Sequence, residues 1–565
     1  MSLLGSLQIA NNALYASQVG LQVTGNNIAN ANTPGFIRQR PVFTPAATQK
    51  IGNLPLGLGV QVEGIIQQSD RFLSDRLRGA ISDLASSQAQ EDAYVQLEAV
   101  VGELTNTDLS SSMSNFFNSI NDILNQPEDF AVRNLAVLQG ATLADDIRRL
   151  DLRVTDVRSN VNNQIVSAAA DINRLVAQVA KLNVNIVQTE GGTTSASDAV
   201  GLRDQREVAL AALSKIVKVR VSEQPNGSVS LFTGGDFLVI EGEYRQVEVD
   251  YTSDRGLSVA SINLSATDAP IAASGGSLAG LYSARDEVLG GFLDRLDDLA
   301  ATLTFEFNKI YSNGQGLTGL KEVQSEFAVD NVALALDQAG LPFTPVNGSF
   351  QVKVFNTRTG LTETSDVFVR LNGLNSDTTL ESLATSLNSI DGLVASISPE
   401  RRLTISTDSP ILEFGFGSDT SHLLASLGIN TFFSGSNSRD IGVNSVVRSD
   451  ASKFAASEGG VGEDTNIALQ LAAFGDRPLE SRNGQTLAKQ YEEIVANVTQ
   501  ASSVTKAVSE GFRVYQQTLE GQYLGLTGVS IDEEAINMIS YQRTYQASAR
   551  LVATISELLN TLMNL

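Results

Sequence analysis

The side chains that carry most enzymatic chemistry are nearly missing from this sequence. It contains no cysteine and no tryptophan, and its single histidine is His422. Thiol nucleophiles and disulfides have no raw material, and zinc sites or Ser-His-Asp triads lack their imidazoles. His422, within Ser421-His422-Leu423-Leu424, reads as a partly buried helix residue with a structural role. Carboxylates are plentiful, with 63 Asp and Glu against 39 Lys and Arg. Two of them could serve as a glycosidase pair, and Lys321 to Arg448 is where such a module would lie, yet no spacing singles out any two. There is no Gly-x-x-x-x-Gly-Lys phosphate loop, no His-Glu-x-x-His and no Asp-x-Asp-x-Asp-Gly loop. The expectation is no enzyme, no cofactor and no metal site, with oxygen ligation of calcium left open by the acidity.

The chemistry that remains is hydrogen bonding by amides. Gln8, Asn11, Asn12, Gln18, Gln22, Asn26 and Asn27 crowd the opening stretch, and Arg38 is its first charged residue. Between them Leu3, Leu7, Ala10, Leu14, Ser17, Leu21, Thr24 and Ile28 recur at alternating gaps of four and three, the seam spacing of a helical coil. Amides can bond to neighbours without the desolvation cost of a charge, so this helix is built to be surrounded by protein. Thr33-Pro34-Gly35-Phe36 should stop it, with Pro34-Gly35 at the centre of a type II turn.

Those amides must be held by the rest of the chain. At 565 residues several domains are expected, and 42% apolar with 18% charged residues describes an ordered protein. The net charge of −24 argues against nucleic acid. No apolar run approaches a membrane span, and the start lacks the basic and contiguous apolar regions of a cleaved secretory signal. Pro41 to Gly64 reads as a short hairpin or a loop with one strand. Helical spacing returns at Leu73, Leu77, Ile81, Leu84, Tyr94, Leu97, Val101 and Leu104, and again from Met113 to Leu124, where Pro127 follows. From Leu143 to Ile186 a single seam persists for six heptads and predicts a rod of roughly 65 Å, ended by Gly191-Gly192. A short helix over Leu202 to Val217 follows.

Val219 to Ala273 alternates between turn residues and reads as β structure. A helix returns between Ser283 and Tyr311. Lys321 to Arg448 reads as an inserted α/β module with strands at Phe350 to Phe355, Ser365 to Leu371 and Thr404 to Glu413, and a short helix through Leu380 to Leu387. Leu487 to Leu519 is helical again. Ser530-Ile531-Asp532-Glu533 has the form of a capping box, and Met538, Tyr541, Tyr545, Ala549, Val552, Ile555, Leu559 and Leu562 make one stripe beyond it. The fold class expected is multidomain α+β, with discontinuous terminal coiled-coil and helical-bundle domains and inserted β-rich and α/β domains. The divisions are 1–64 with 526–565 for the coil, and 65–217, 283–319 and 462–525 for the bundle. Residues 218–282 with 440–461 form the β-rich domain and 320–439 the outer insertion. Leu3, Leu7, Leu14, Leu21, Ile28, Met538, Tyr545, Val552, Ile555, Leu559 and Leu562 are the expected assembly interface, since such narrow-seamed helices are not stable singly.

Gly25-Asn26-Asn27-Ile28-Ala29-Asn30-Ala31-Asn32-Thr33-Pro34-Gly35-Phe36 resembles the N-terminal signature of bacterial flagellar rod and hook axial proteins. Asp532-Glu533-Glu534-Ala535-Ile536-Asn537-Met538, Tyr541-Gln542-Arg543 and Tyr545-Gln546-Ala547-Ser548-Ala549 resemble their C-terminal one. Asp70-Arg71-Phe72-Leu73, Leu202-Arg203-Asp204-Gln205-Arg206 and Ser277-Leu278-Ala279-Gly280-Leu281, the last placed before the returning helix, are similar to the hook-associated branch. That resemblance implies a structural subunit at the hook–filament junction, with a hook or distal-rod protein as the alternative, or an axial scaffold bearing an enzymatic insertion. It implies self-association in a ring, contacts to hook protein and to a second hook–filament junction protein, and a flagellar export chaperone at the C-terminal end. It also implies type III export to an extracellular site without signal cleavage, no membrane or nucleic-acid partner, and terminal segments that order only when neighbours dock.

Overall fold

The computed structural model describes residues 3–51, 54–102, 109–191, 197–374 and 376–563. Its helices are α1 (Leu3–Ala29), α2 (Arg71–Gly102), α3 (Leu109–Asn125), α4 (Phe130–Glu190), α5 (Val200–Ile216), α6 (Gly276–Ser283) and α7 (Gly290–Tyr311). They continue with α8 (Leu380–Asn388), α9 (Leu423–Leu427), α10 (Ser445–Ser449), α11 (Asn466–Ala472), α12 (Leu487–Thr527) and α13 (Ile531–Met563). Helix and several small sheets are mixed, and both chain ends are long helices. Two compact units result: 1–93 with 159–285 and 502–565, and 94–158 with 286–501.

In the first unit α1 lies along α13. The chain leaves α1 through the expected turn, with Gly35 at φ +79° and the Phe36 N–H donating to the Thr33 carbonyl at 3.2 Å. The next segment takes the hairpin alternative of the two expected, with a second strand pair inside it. Gln39–Pro45 pairs antiparallel with Val60–Gln67, and Thr48–Ile51 pairs with Leu54–Gly57. Pro41 and Pro45 hid the outgoing strand, but a ribbon with no third strand needs only half of its N–H groups. Further on, Arg220–Glu223, Val229–Thr233, Asp236–Ile240 and Glu243–Tyr244 form one sheet, and Val247–Asp254, Leu257–Leu264 and Ala269–Pro270 another.

Helix α4 starts thirteen residues before the seam counted from Leu143, so its 61 residues reach about 92 Å. Its first turns bury Arg133, Ala136 and Val137 in place of a Leu stripe. A Cβ at Gly140 would meet the Phe432 ring at 2.5 Å. Gly191, at φ +65°, closes α4, whereas Gly192 and Leu104 lie outside the described residues. Ser277-Leu278-Ala279-Gly280-Leu281 proves to be α6 itself, not its approach, and a π-helical stretch, Ala284–Leu289, leads on to α7. The apolar spacing weakens there because Gly280 crosses α2 where a Cβ would fall 2.1 Å from the Ser86 carbonyl oxygen.

The second unit has an aromatic centre. Phe432 stacks on Phe116 at 5.4 Å and meets Phe307 at 5.5 Å and Phe433 at 4.9 Å between ring centroids. Beside it the module beginning at Lys321 has its own core, with Phe350, Val352, Leu383, Leu387, Ile405 and Phe416 buried together. The pairing departs from the α/β expectation, because every paired strand of this module is antiparallel. The strand expected over Thr404 to Glu413 is two, Leu403–Thr407 and Leu412–Gly417, which join different sheets. Pro410 lacks the N–H that a continuous strand would need there. Residues 440–461 contribute only the short strand Gly442–Val443, paired with Phe433–Ser434, and cluster with this unit. His422 is not within a helix: at φ +56° it precedes the single turn of α9. Burial and then nearby Lys309 push it below its ordinary pKa.

Candidate functional site: the clasp between the chain ends

Helices α1 and α13 meet through small residues. Ala10, Ala16, Ser17, Gly20, Val23, Thr24 and Asn27 are buried, whereas Leu3, Leu7, Leu14, Leu21 and Ile28 are half-buried on the flank. A Cβ at Gly20 would lie 2.7 Å from the Tyr541 ring, so glycine is what lets the two backbones approach. Phe43 of the hairpin meets the same ring edge-on at 6.3 Å. On α13, Ile555 is buried, Met538, Val552 and Leu559 are half-buried, and Tyr545 and Leu562 are exposed. Ile531, Ile536, Ile539, Leu551 and Leu558 are exposed as well. On α1, the uncharged row Leu4, Gln8, Asn11, Tyr15, Gln18, Gln22 and Asn26 is also exposed. Each terminal helix therefore has one face in use and another facing outward, apolar and amide in α1 and apolar with Arg543, Arg550 and Glu557 interspersed in α13.

At the base of the pair both signature stretches converge. Asn27 is 1% exposed; its Nδ2 donates to the Gln39 carbonyl at 2.8 Å while its Oδ1 accepts the Gln39 N–H at 3.0 Å. The amide side chain thus pairs with the hairpin's first strand as another strand would. The same Nδ2 reaches Glu534 Oε2 at 3.2 Å. Glu534, 2% exposed, takes Arg38 Nε on its other oxygen at 2.8 Å. Arg38 also binds Glu533 at 2.8 Å, and its backbone N–H donates to the Thr527 carbonyl at 2.8 Å. Burial pulls the Arg38 pKa down, but hydrogen bonds to Glu534 and Glu533 outweigh it and hold it above the ordinary value. A buried carboxylate is tolerable here because both oxygens are occupied by donors.

The capping box is half formed. Ser530 Oγ accepts the Glu533 N–H at 3.4 Å, but the Glu533 carboxylate reaches across to Arg38 instead of back to Ser530. A charge-assisted bond to guanidinium outcompetes one to a solvated backbone N–H. Gly20, Asn27, Arg38 and Glu534 were not among the residues expected to form the interface. The signal for Arg38 was its position as the first charge after a neutral helix; the burial of Asn27 had none, since Asn11, Asn12, Asn26 and Asn30 look alike in sequence.

A strap ties the clasp to α5. The Ile37 N–H donates to Asp204 Oδ1 at 3.3 Å, and Gln67 Nε2 donates to the same oxygen at 2.6 Å. Burial pushes the Asp204 carboxyl up to about 6, against these hydrogen bonds. Arg203 forks onto Glu190 at 2.6 and 2.9 Å and binds Glu223 at 2.6 Å. Glu190, which burial alone would raise, is held below its usual range by the hydrogen bonds from Arg203 and the Ala199 N–H. The Asn27 device recurs along α4: Asn162 brackets Ser258 and Ala260, Asn173 holds both backbone groups of Val247, and Asn183 both of Val229. These arrangements bind and align; among the described residues no cluster of His, Asp or Glu could hold a metal ion.

Comparison with known proteins finds flagellar relatives along most of the chain. The family described as "Flagellar hook-associated protein FlgK helical domain" matches residues 94–327. "Flagella basal body rod protein" matches 7–36, and "Flagellar basal body rod FlgEFG protein C-terminal" matches 520–565. Flagellar hook-associated protein 1 of Salmonella typhimurium is 26% identical, covering 98% of this chain and 99% of that protein. The Bacillus subtilis protein of the same name is 28% identical over 55% of this chain and 68% of its own length. A solved structure, the flagellar hook junction protein FlgK from Burkholderia pseudomallei, superimposes with a TM-score of 0.49 at 17% identity, covering 79% of this chain and 99% of that one. The chain belongs to the flagellar hook-associated protein family and is a structural subunit of the bacterial flagellum.

Proposed function

We propose that the chain forms the junction between hook and filament, assembling as a ring through the outward faces of α1 and α13. One observation carries this reading: the paired ends satisfy each other at the clasp and still leave apolar side chains exposed, on an uncharged face in α1 and beside Arg543, Arg550 and Glu557 in α13. Leu4 and Tyr15 on α1 and Ile536, Ile539, Leu551, Leu558 and Leu562 on α13 are left exposed by the described residues. An exposed apolar stripe of that length marks an interaction surface. The outward face of α13 includes Tyr545 and Leu562, so the expected interface divides in two: inner residues hold the pair and outer ones meet neighbouring subunits.

In this reading the terminal pair, the helical bundle, the β-rich part and the antiparallel insertion follow one another along the sequence as a nested series, out and back. Hook protein, a second hook–filament junction protein and an export chaperone are the partners, and the chain leaves the cell through the flagellar export apparatus without signal cleavage. A chain lacking 1–30 and 530–565 should stay folded in its central parts and fail to join the hook. Retained incorporation would overturn the proposal. The rod-type families matched at both ends keep a hook or distal-rod position as the second reading. Labelled antibody at the hook tip supports the junction, whereas label along the hook or rod supports the alternative.

A further inference from the structure

The first unit holds a cavity of about 390 Å³ open to solvent on one side, within the size range of small-ligand sites. Arg71 and Arg78 of α2 and Arg203 and Arg206 of α5 reach its wall. The carboxylates there are already committed. Glu223 takes Arg71 at 2.6 Å and Arg203 at 2.6 Å; Glu207 takes Arg78 at 2.6 Å; Asp198 takes the Gln67 N–H at 2.9 Å. Arg206 is what remains. It is 3% exposed, and its NH1 donates to the Gly227 carbonyl at 2.7 Å and to Asn183 Oδ1 at 3.2 Å. Its nearest carboxylate oxygen, on Glu223, is 3.9 Å from NH2, and its buried Nε has no acceptor.

A buried guanidinium N–H without an acceptor is costly, more so when the group carries its charge. Burial and then repulsion by Arg203 work against that charge, pulling the Arg206 pKa down. Burial pushes the Tyr523 hydroxyl on the same wall up to about 12, so it stays protonated. Four arginines balance Asp75, Asp198, Glu207 and Glu223 on this wall, and the donor left without an acceptor is Arg206 Nε. An oxyanion complements it, since its oxygens match the planar guanidinium fork. We propose that this cavity binds one small tetrahedral oxyanion of the phosphate or sulfate class, seated on Arg206 with Arg71 at the mouth.

The site would join α2, α5 and the sheet strand bearing Glu223, so occupancy should stiffen the first unit. The test is calorimetric titration of inorganic phosphate into the full-length chain, with ionic strength held constant by sodium chloride. A saturable heat with one equivalent bound is expected. Arg71→Gln, at a side chain 76% exposed, should weaken binding about tenfold, the scale of one lost charge-assisted bond. Arg206→Gln should weaken it further where circular dichroism shows a folded protein. Arg174→Gln, on an exposed stretch of α4, should change nothing. Absence of saturable heat would overturn the proposal, as would equal binding of acetate or an equal loss in Arg174→Gln.

Discussion

Asn27 pairs with the Gln39 backbone as a strand would and also donates to Glu534, so truncating it leaves three bonding groups unsatisfied in a buried site. Asn27→Ala should therefore cost about 2–4 kcal/mol, whereas Asn26→Ala, on the exposed side with one bond to Gln39, should cost under about 1 kcal/mol. Urea release of the chain from assembled hook ends would read the difference. Asp204 gives a pH dependence with a definite sign. Its folded pKa of about 6 lies above the ordinary carboxyl value of 3.8, so the folded state binds the extra proton. That contribution favours folding below about pH 4 and is lost as pH rises through 6. Asp204→Asn keeps the acceptor for Ile37 and Gln67 and removes the charge. It should stabilise the protein at pH 7.5 on the order of 1–2 kcal/mol, discounted for partial exposure, and flatten the melting profile between pH 4 and 6.

Between elements, the controlling quantity is how closely α1 approaches α13. The buried row of Ala, Ser, Gly and Thr permits a separation that the half-buried leucines alone would not. Gly20→Ala should cost about 1–3 kcal/mol by pressing a methyl into the Tyr541 ring. Tyr541→Ala in the same chain should recover part of that loss, and a double-mutant cycle would measure the coupling. Hydrogen exchange on free monomer tests the element directly: α1 and α13 should exchange quickly and become protected on assembly. Protection already complete in the monomer would count against assembly-coupled ordering.

For the molecule as a whole, a net charge of −24 keeps subunits apart in solution. Assembly should speed up as added salt shortens the Debye length from about 30 Å to about 8 Å, which turbidity or light scattering would follow. The two units are stabilised differently. The second depends on its aromatic centre, and Phe432→Ala, fully buried between Phe116, Phe307 and Phe433, should cost about 3–5 kcal/mol. The insertion has a core of its own, so a fragment spanning 320–429 should unfold cooperatively in isolation.

Features set by neighbours along the chain were readable without coordinates. The α4 seam, the turn at Pro34-Gly35, the run of short strands after Val219 and the neutral terminal helices all follow from spacing and from backbone limits on Pro and Gly. The structure confirms the turn at φ +79° and ends α4 at Glu190. What depends on partners distant in sequence was not readable. Glu533 as a half-box facing Arg38, the burial of Asn27 against Glu534, and the leftover donor of Arg206 come from competition among groups in space, whereas the division of Thr404 to Glu413 was marked by Pro410 and could have been read. A side chain's type limits which bonds it can make, but only the fold determines which partner arrives first and which donor is left without one.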